Sequence, residues 1–157
     1  MSETGLKRPV LCIGIGNPFR GDDAAGLVAA RALQSLVLPG VEIIEHNGDG
    51  AALLETWRGA AAVFLIDAVS SGNAPGTLYR LDVQHETVPA HFSGTSTHLL
   101  GLAEAVELSR VLGEFPPRLI IYGIEGQDFL MGLDLSPAVA AQLPTLIRQI
   151  ETELRNL

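Results

Sequence analysis

The feature that most constrains this fold is an apolar run at residues 61–66, AAVFLI. The run does not alternate apolar and polar residues, which is typical of a parallel strand covered on both faces. It stops at Asp67, where we expect the strand to end. A buried carboxylate without a partner is energetically costly, so this aspartate is a candidate functional residue.

Strand and helix patterns alternate along the rest of the chain. Further strands are predicted at residues 9–14, 41–45, 77–81 and 119–123, the third of these at the sheet edge. Helices are predicted from Asp22 or Asp23, around residues 53–57, from Ser96 or Thr97 to about Leu112, and from Ser136 onwards. This order predicts the α/β class: a twisted, mostly parallel sheet with helices on both faces, in three layers.

Length and charge narrow the function classes. The 157 residues suit a single domain spanning 1–157. A net charge of −8 repels phosphate backbones and argues against nucleic-acid binding. The single cysteine, Cys12, excludes an intrachain disulfide, and no apolar run reaches the ~18–20 residues that span a bilayer. We therefore expect a cytoplasmic monomer without membrane contact.

Three polar elements should meet at the carboxyl edge of the sheet, where ligands bind in such folds. They are the loop 14–23 with its two acids, Asp67, and His98, which we place in the first turn of the third helix. Two carboxylates and an imidazole leave coordination positions open, as a catalytic or substrate-sharing metal site requires. Each residue alone also has a structural interpretation: Asp22 or Asp23 could cap a helix, and a lone histidine is more often structural or exposed.

The glycine loop also invites a dinucleotide-binding interpretation. Gly14 and Gly16 follow the first strand, but the third glycine of that fingerprint falls on Phe19. Two acids at the helix start would also repel a pyrophosphate. Nucleotide binding is therefore disfavoured.

Ordered motifs carry a family resemblance. Residues 14–26, GIGNPFRGDDAAG, resemble the opening motif of the nickel–iron (NiFe) hydrogenase maturation proteases. Further matches follow in order: FLIDA at 64–68, NAPGT at 73–77, STHLLGLAE at 96–104, GEFPP at 113–117 and GLDLSP at 132–137. The resemblance runs from about residue 10 to residue 139.

The resemblance implies a substrate and a ligand set. Family members are endopeptidases that remove a C-terminal extension from the hydrogenase large-subunit precursor after nickel insertion. Their ligands fall on Asp23, Asp67 and His98, with nickel carried by the substrate and zinc or another divalent ion as a surrogate. Asp22 is available as a base or orienting group.

Two loops leave specificity open. The family often has Asp-Gly-Gly after its second strand, whereas residues 45–50 here read EHNGDG. His46 is either a fourth ligand or a solvent-facing histidine. The segment 125–129 should also face the site, either selecting the precursor with Phe129 as an apolar contact or serving as a solvated crossover.

The absence of familiar peptidase motifs favours metal-assisted hydrolysis. The sequence contains neither His-Glu-x-x-His nor Gly-x-Ser-x-Gly. A metal would polarise the scissile carbonyl or activate water, or the site would only grip the nickel while another group hydrolyses the bond. Two alternatives remain: a non-catalytic nickel-sensing chaperone, and a peptidyl-tRNA hydrolase-like esterase, which shares the Gly-x-Gly-Asn-Pro stretch but carries a histidine where residues 21–24 read GDDA.

Overall fold

The computed structural model describes residues 8–89, 92 and 100–157. Its strands are β1 Val10–Ile15, β2 Val41–His46, β3 Ala62–Val69, β4 Leu78–Asp82 and β5 Leu119–Glu125. Its α-helices are α1 Ala25–Gln34, α2 Gly50–Trp57, α3 Leu102–Val111 and α4 Pro137–Arg155, and a short 3-10 helix covers Gly21–Ala24. None of the helices in these ranges is long and apolar enough to cross a membrane.

The five described strands form one sheet in the order β2-β1-β3-β5-β4. The first four pair in parallel, and β4 joins the edge antiparallel to β5. β1 and β3 are neighbours, with Gly14 paired to Ile66. The loop that follows β1 therefore meets the carboxyl end of β3, as the alternating pattern predicted.

Helices cover both faces, which confirms the α/β prediction. One core cluster joins α2 and α3 to the odd-numbered side chains of the central strands, and the other joins α1 and α4 to the even-numbered ones. Every residue of β3 is buried, as expected for a strand that is covered twice. Successive side chains of a strand point to opposite faces, so Asp67 lies on the same face as Leu65 and Val69. That face is the α2–α3 side of the sheet.

Two predicted boundaries are wrong. β3 does not end at Asp67 but continues to Val69, because β5 pairs with it as far as Glu125. The third helix begins at Leu102 rather than at Ser96 or Thr97. Gly101 is extended there, and its N–H donates to the Glu104 carboxylate at 2.9 Å, which fixes the start.

The prediction that places His98 in the first turn of the third helix falls on a residue outside the described ranges. α3 itself begins at Leu102. The first helix differs less from its predicted start at Asp22 or Asp23. α1 begins at Ala25, and both acids lie in the 3-10 turn that precedes it.

Glycine allows α1 to touch the sheet. A Cβ on Gly26 would lie 2.3 Å from the Ile15 carbonyl oxygen and 2.4 Å from that of Ile66. A Cβ on Gly14 would lie 2.3 Å from the Gly26 carbonyl oxygen. The helix backbone therefore rests directly on the ends of β1 and β3, which no larger residue would permit.

This contact generates a prediction whose sign is diagnostic. Gly-to-Ala inside a helix ordinarily stabilises by about 1 kcal/mol. We expect Gly26→Ala to destabilise the fold by roughly 2–3 kcal/mol instead, because the blocking atoms are backbone and cannot move aside. Thermal unfolding should show a melting temperature lower by roughly 5–10 °C. An unchanged or higher melting temperature would contradict the close contact.

Candidate functional site

Gly16 places the first acid of the site. A Cβ on Gly16 would lie only 1.9 Å from the Asp23 carbonyl oxygen, so the chain after β1 folds back onto the 3-10 turn. The Asn17 N–H donates to Asp23 Oδ2 at 3.0 Å and fixes that carboxylate. The glycines of this loop therefore serve backbone contact, which explains a Gly-x-Gly pattern without a nucleotide.

Asp67 is the second acid, and its carboxylate is 2% exposed. The N–H of Ala68 donates to its Oδ1 at 2.8 Å. Burial, together with the nearby negative charge of Asp23, raises the pKa of Asp67 well above its ordinary value, while the Ala68 hydrogen bond opposes this. In the described ranges, no arginine or lysine forms an ion pair with Asp67.

The two carboxylates thus form a like-charged pair at the carboxyl edge of β1 and β3. Asp23 is half-buried and Asp67 is fully buried. Such a pair is unfavourable in an isolated fold, and either a proton or a cation bound between the groups relieves it. Oxygen donors of this kind suit a divalent metal ion.

Asp22 has a different role from its neighbour. It is fully buried, and its Oδ2 accepts hydrogen bonds from the N–H groups of Gln127 and Asp128 at 2.7 and 3.2 Å. Ser136 donates its N–H to Oδ1 at 2.7 Å and its hydroxyl to Oδ2 at 2.8 Å. The carboxylate does not cap its own helix. It ties the 3-10 turn to the segment that leads into α4.

His46 ends β2 beside Ile15 of β1, close to the same edge. Its Nδ1 accepts the N–H of Gly48 at 2.9 Å, so this nitrogen holds the loop turn. Coordination of a metal would have to use Nε2. Whether His46 is a fourth ligand stays a prediction.

The segment 125–129 adjoins the site, as predicted, but its first residue turns inward. Glu125 is buried and accepts hydrogen bonds from Ser71 and from the Tyr79 hydroxyl, the latter at 2.7 Å. Burial raises the pKa of Glu125, but the hydrogen bonds from Ser71 and Tyr79 outweigh it and hold the pKa below its ordinary value. Phe129 is half-buried, with its ring against Gly126.

Sequence patterns missed these supporting partners. The sequence pattern predicts Ser136 only as a helix start, because its pairing with Asp22 spans 114 residues. Ser71 and Tyr79 likewise meet Glu125 only through the sheet topology. The one available signal is the adjacent pair Asp22 and Asp23 itself.

The predicted three-residue metal site is only partly visible. Asp23 and Asp67 come together, whereas His98 falls outside the described residues. Within residues 8–89, 92 and 100–157, no three His, Cys, Asp or Glu side chains are grouped to hold a metal ion. The assignment of all three ligands therefore stays a prediction.

A family model, a curated relative and solved structures match this chain over most of its length. The family model described as hydrogenase maturation protease matches residues 28–153. The hydrogenase 2 maturation protease of Escherichia coli K12 is 35% identical, over 94% of this chain and 91% of that protein. The structure of the hydrogenase maturating endopeptidase HybD from Escherichia coli is 31% identical with a TM-score of 0.79, covering 94% and 93% of the two chains. The solution structure of an Escherichia coli endopeptidase is 33% identical with a TM-score of 0.82, over 94% and 93%.

The raised pKa of Asp67 generates a stability prediction. A raised acid pKa means that the folded state gains stability below the unfolded pKa of about 3.9 and loses it as pH rises through the folded value. Asp67→Asn keeps the shape and removes the charge. In metal-free buffer at pH 7, we expect its free energy of unfolding to exceed that of the wild type by at least about 1 kcal/mol.

Denaturant titrations from pH 4 to pH 8 would measure this. The wild type should lose stability across the range relative to Asp67→Asn. The exposed Asp134→Asn variant controls for removing one charge from a chain of net charge −8. If Asp67→Asn is less stable than the wild type at pH 7, the carboxylate is a structural anchor and not a strained functional group.

Proposed function

The chain belongs to the hydrogenase maturation protease family, and we propose that its Asp23–Asp67 pair grips the nickel ion carried by its substrate. As a member of that family, it is an endopeptidase that processes the C-terminus of a hydrogenase large subunit. The observation that carries the proposal is the fully buried Asp67 carboxylate beside the charge of Asp23. That arrangement becomes favourable when a cation arrives.

The substrate supplies the cation in this proposal. A precursor already loaded with nickel brings a divalent charge to the two carboxylates, and this relieves their repulsion at the moment of binding. An unloaded precursor brings no cation and gains no such binding free energy. The carboxylate pair therefore distinguishes nickel-loaded precursor from nickel-free precursor. The discrimination is a difference in binding free energy between the two precursors.

His98 is proposed as the third ligand. Leu100, two residues later, accepts the Gly50 N–H at 2.8 Å at the start of α2. This contact places Leu100 next to α2, on the side of the sheet that Asp67 also faces. Mixed nitrogen and oxygen ligands without a thiolate accept several divalent ions, so zinc can act as a surrogate.

The peptide bond is then cut beside the gripped ion. The ion, held by Asp23 and Asp67 at the sheet edge, would polarise the scissile carbonyl or lower the pKa of a bound water. In this proposal Asp22 does not act as a general base. Its hydrogen bonds hold the 3-10 turn against the segment that leads into α4. Neither the non-catalytic chaperone nor the peptidyl-tRNA hydrolase-like esterase receives support from the comparisons.

The experiment is a cleavage assay on nickel-loaded and nickel-free large-subunit precursor, with product masses measured by mass spectrometry. Wild-type protein should release the C-terminal extension only from the loaded form. Asp67→Asn and His98→Ala should lower kcat/KM at least about 100-fold, because the metal site loses its coordination geometry when one ligand is removed. Circular dichroism should show both variants folded.

Glu42→Gln is the matched control, since it also removes one carboxylate but lies exposed on β2, away from the carboxyl edge of the sheet. It should cut like the wild type. Full processing by both ligand variants would show that these residues are not the working site. Equal cutting of nickel-free precursor would show that the metal is not what the enzyme recognises.

A further inference from the structure

Four exposed apolar side chains lie beside the two-acid turn. Phe19, Leu130, Met131 and Leu133 expose 69%, 66%, 66% and 44% of their surface. We call these four residues the apolar platform. Apolar side chains that are grouped and exposed in this way mark contact surfaces in soluble proteins.

Backbone hydrogen bonds join the two segments of the apolar platform. The Gly132 N–H donates to the Phe19 carbonyl at 2.8 Å, and the Gly21 N–H donates to the Leu133 carbonyl at 3.1 Å. Gly21 has a φ of +56°, and a Cβ there would lie 2.5 Å from the Asp128 carbonyl oxygen. The segments therefore touch backbone to backbone, and the surface is preformed.

A buried charge holds this surface in place. The Asp22 carboxylate receives hydrogen bonds from Gln127, Asp128 and Ser136, which flank Leu130–Leu133 on both sides. Four charge-assisted hydrogen bonds are a strong restraint on an otherwise irregular segment. A solvated crossover loop does not require such a restraint.

The apolar platform is continuous with the proposed nickel grip. Asp23 Oδ2 accepts the N–H of Asn17, and Asn17 Oδ1 accepts the N–H of Phe19 at 2.9 Å. The chain thus passes from a proposed nickel ligand to an exposed aromatic ring within one short turn. A substrate bound at Asp23 would therefore lie next to the exposed ring of Phe19.

We propose that the apolar platform docks an apolar surface of the large-subunit precursor next to the segment that is cut. This inference rests on the proposed function and adds the chemistry of the contact. An uncharged contact suits an enzyme of net charge −8, since it binds without depending on the charge of its partner. Phe129, which one of the two sequence interpretations offered as the apolar contact, is half-buried against Gly126.

The test compares two double variants of the full chain. Leu130→Gln with Met131→Gln changes the apolar platform while keeping side-chain length. Val111→Gln with Leu112→Gln is the matched control, because these residues expose 82% and 54% and lie at the end of α3, towards the opposite edge of the sheet. Affinity for nickel-loaded precursor is measured by calorimetry, and cleavage is measured separately by mass spectrometry.

We expect the platform variant to bind the precursor at least about tenfold more weakly, with KM raised and kcat within about threefold of the wild type. The control should bind like the wild type, and binding of free Ni²⁺ should be unchanged in both. Equal precursor affinity in the platform variant and the wild type would overturn the inference.

The two failures are distinguishable. If the wild type binds the precursor but does not cut it, the proposed function fails, and the binding comparison still decides the docking surface. If the wild type does not bind the precursor, both fail. If sedimentation shows a wild-type dimer that the platform variant dissociates, the surface joins two copies of this chain and the docking proposal is wrong.

Discussion

The close backbone contact between α1 and the ends of β1 and β3 governs the rest of the structure. Gly14 and Gly26 allow it, because a Cβ on either would overlap a carbonyl oxygen of the other element. The helix start is thereby pressed against the carboxyl edge of the central strands. Asp23, two residues before α1, consequently meets the charge of Asp67 on β3. If the helix start lay further from β3, the charges of Asp23 and Asp67 would not interact.

That proximity raises the pKa of Asp67, because burial and the charge of Asp23 both disfavour its ionised form. The sheet supplies rigidity, since β3 is buried along its whole length. The strand therefore holds the Asp67 carboxylate in a fixed position, and in the proposed function a cation brought by the substrate would stabilise its ionised form.

Sequence patterns predicted the architecture well because burial on two faces leaves a clear mark. The unbroken apolar run at 61–66 and the alternation of strand and helix patterns predict the layers, and the ordered motifs indicate the family. Boundaries failed where pairing partners decide them: β3 continues past Asp67 because β5 runs alongside as far as Glu125. The role of Asp22 was equally hidden, because its partners lie more than 100 residues away. The ligand role of His98 comes from the motif resemblance.

The adjacent acids show how one short turn serves two surfaces. Successive residues of a tight turn point in different directions, so Asp22 enters the protein interior while Asp23 turns towards β3. The first fixes the segment bearing Leu130 and Met131, and the second belongs to the proposed nickel grip. Because the two residues are adjacent, one short turn carries both the residue that holds the proposed docking surface and a residue of the proposed nickel grip. The proposed recognition of the precursor and of its metal would therefore share one structural element.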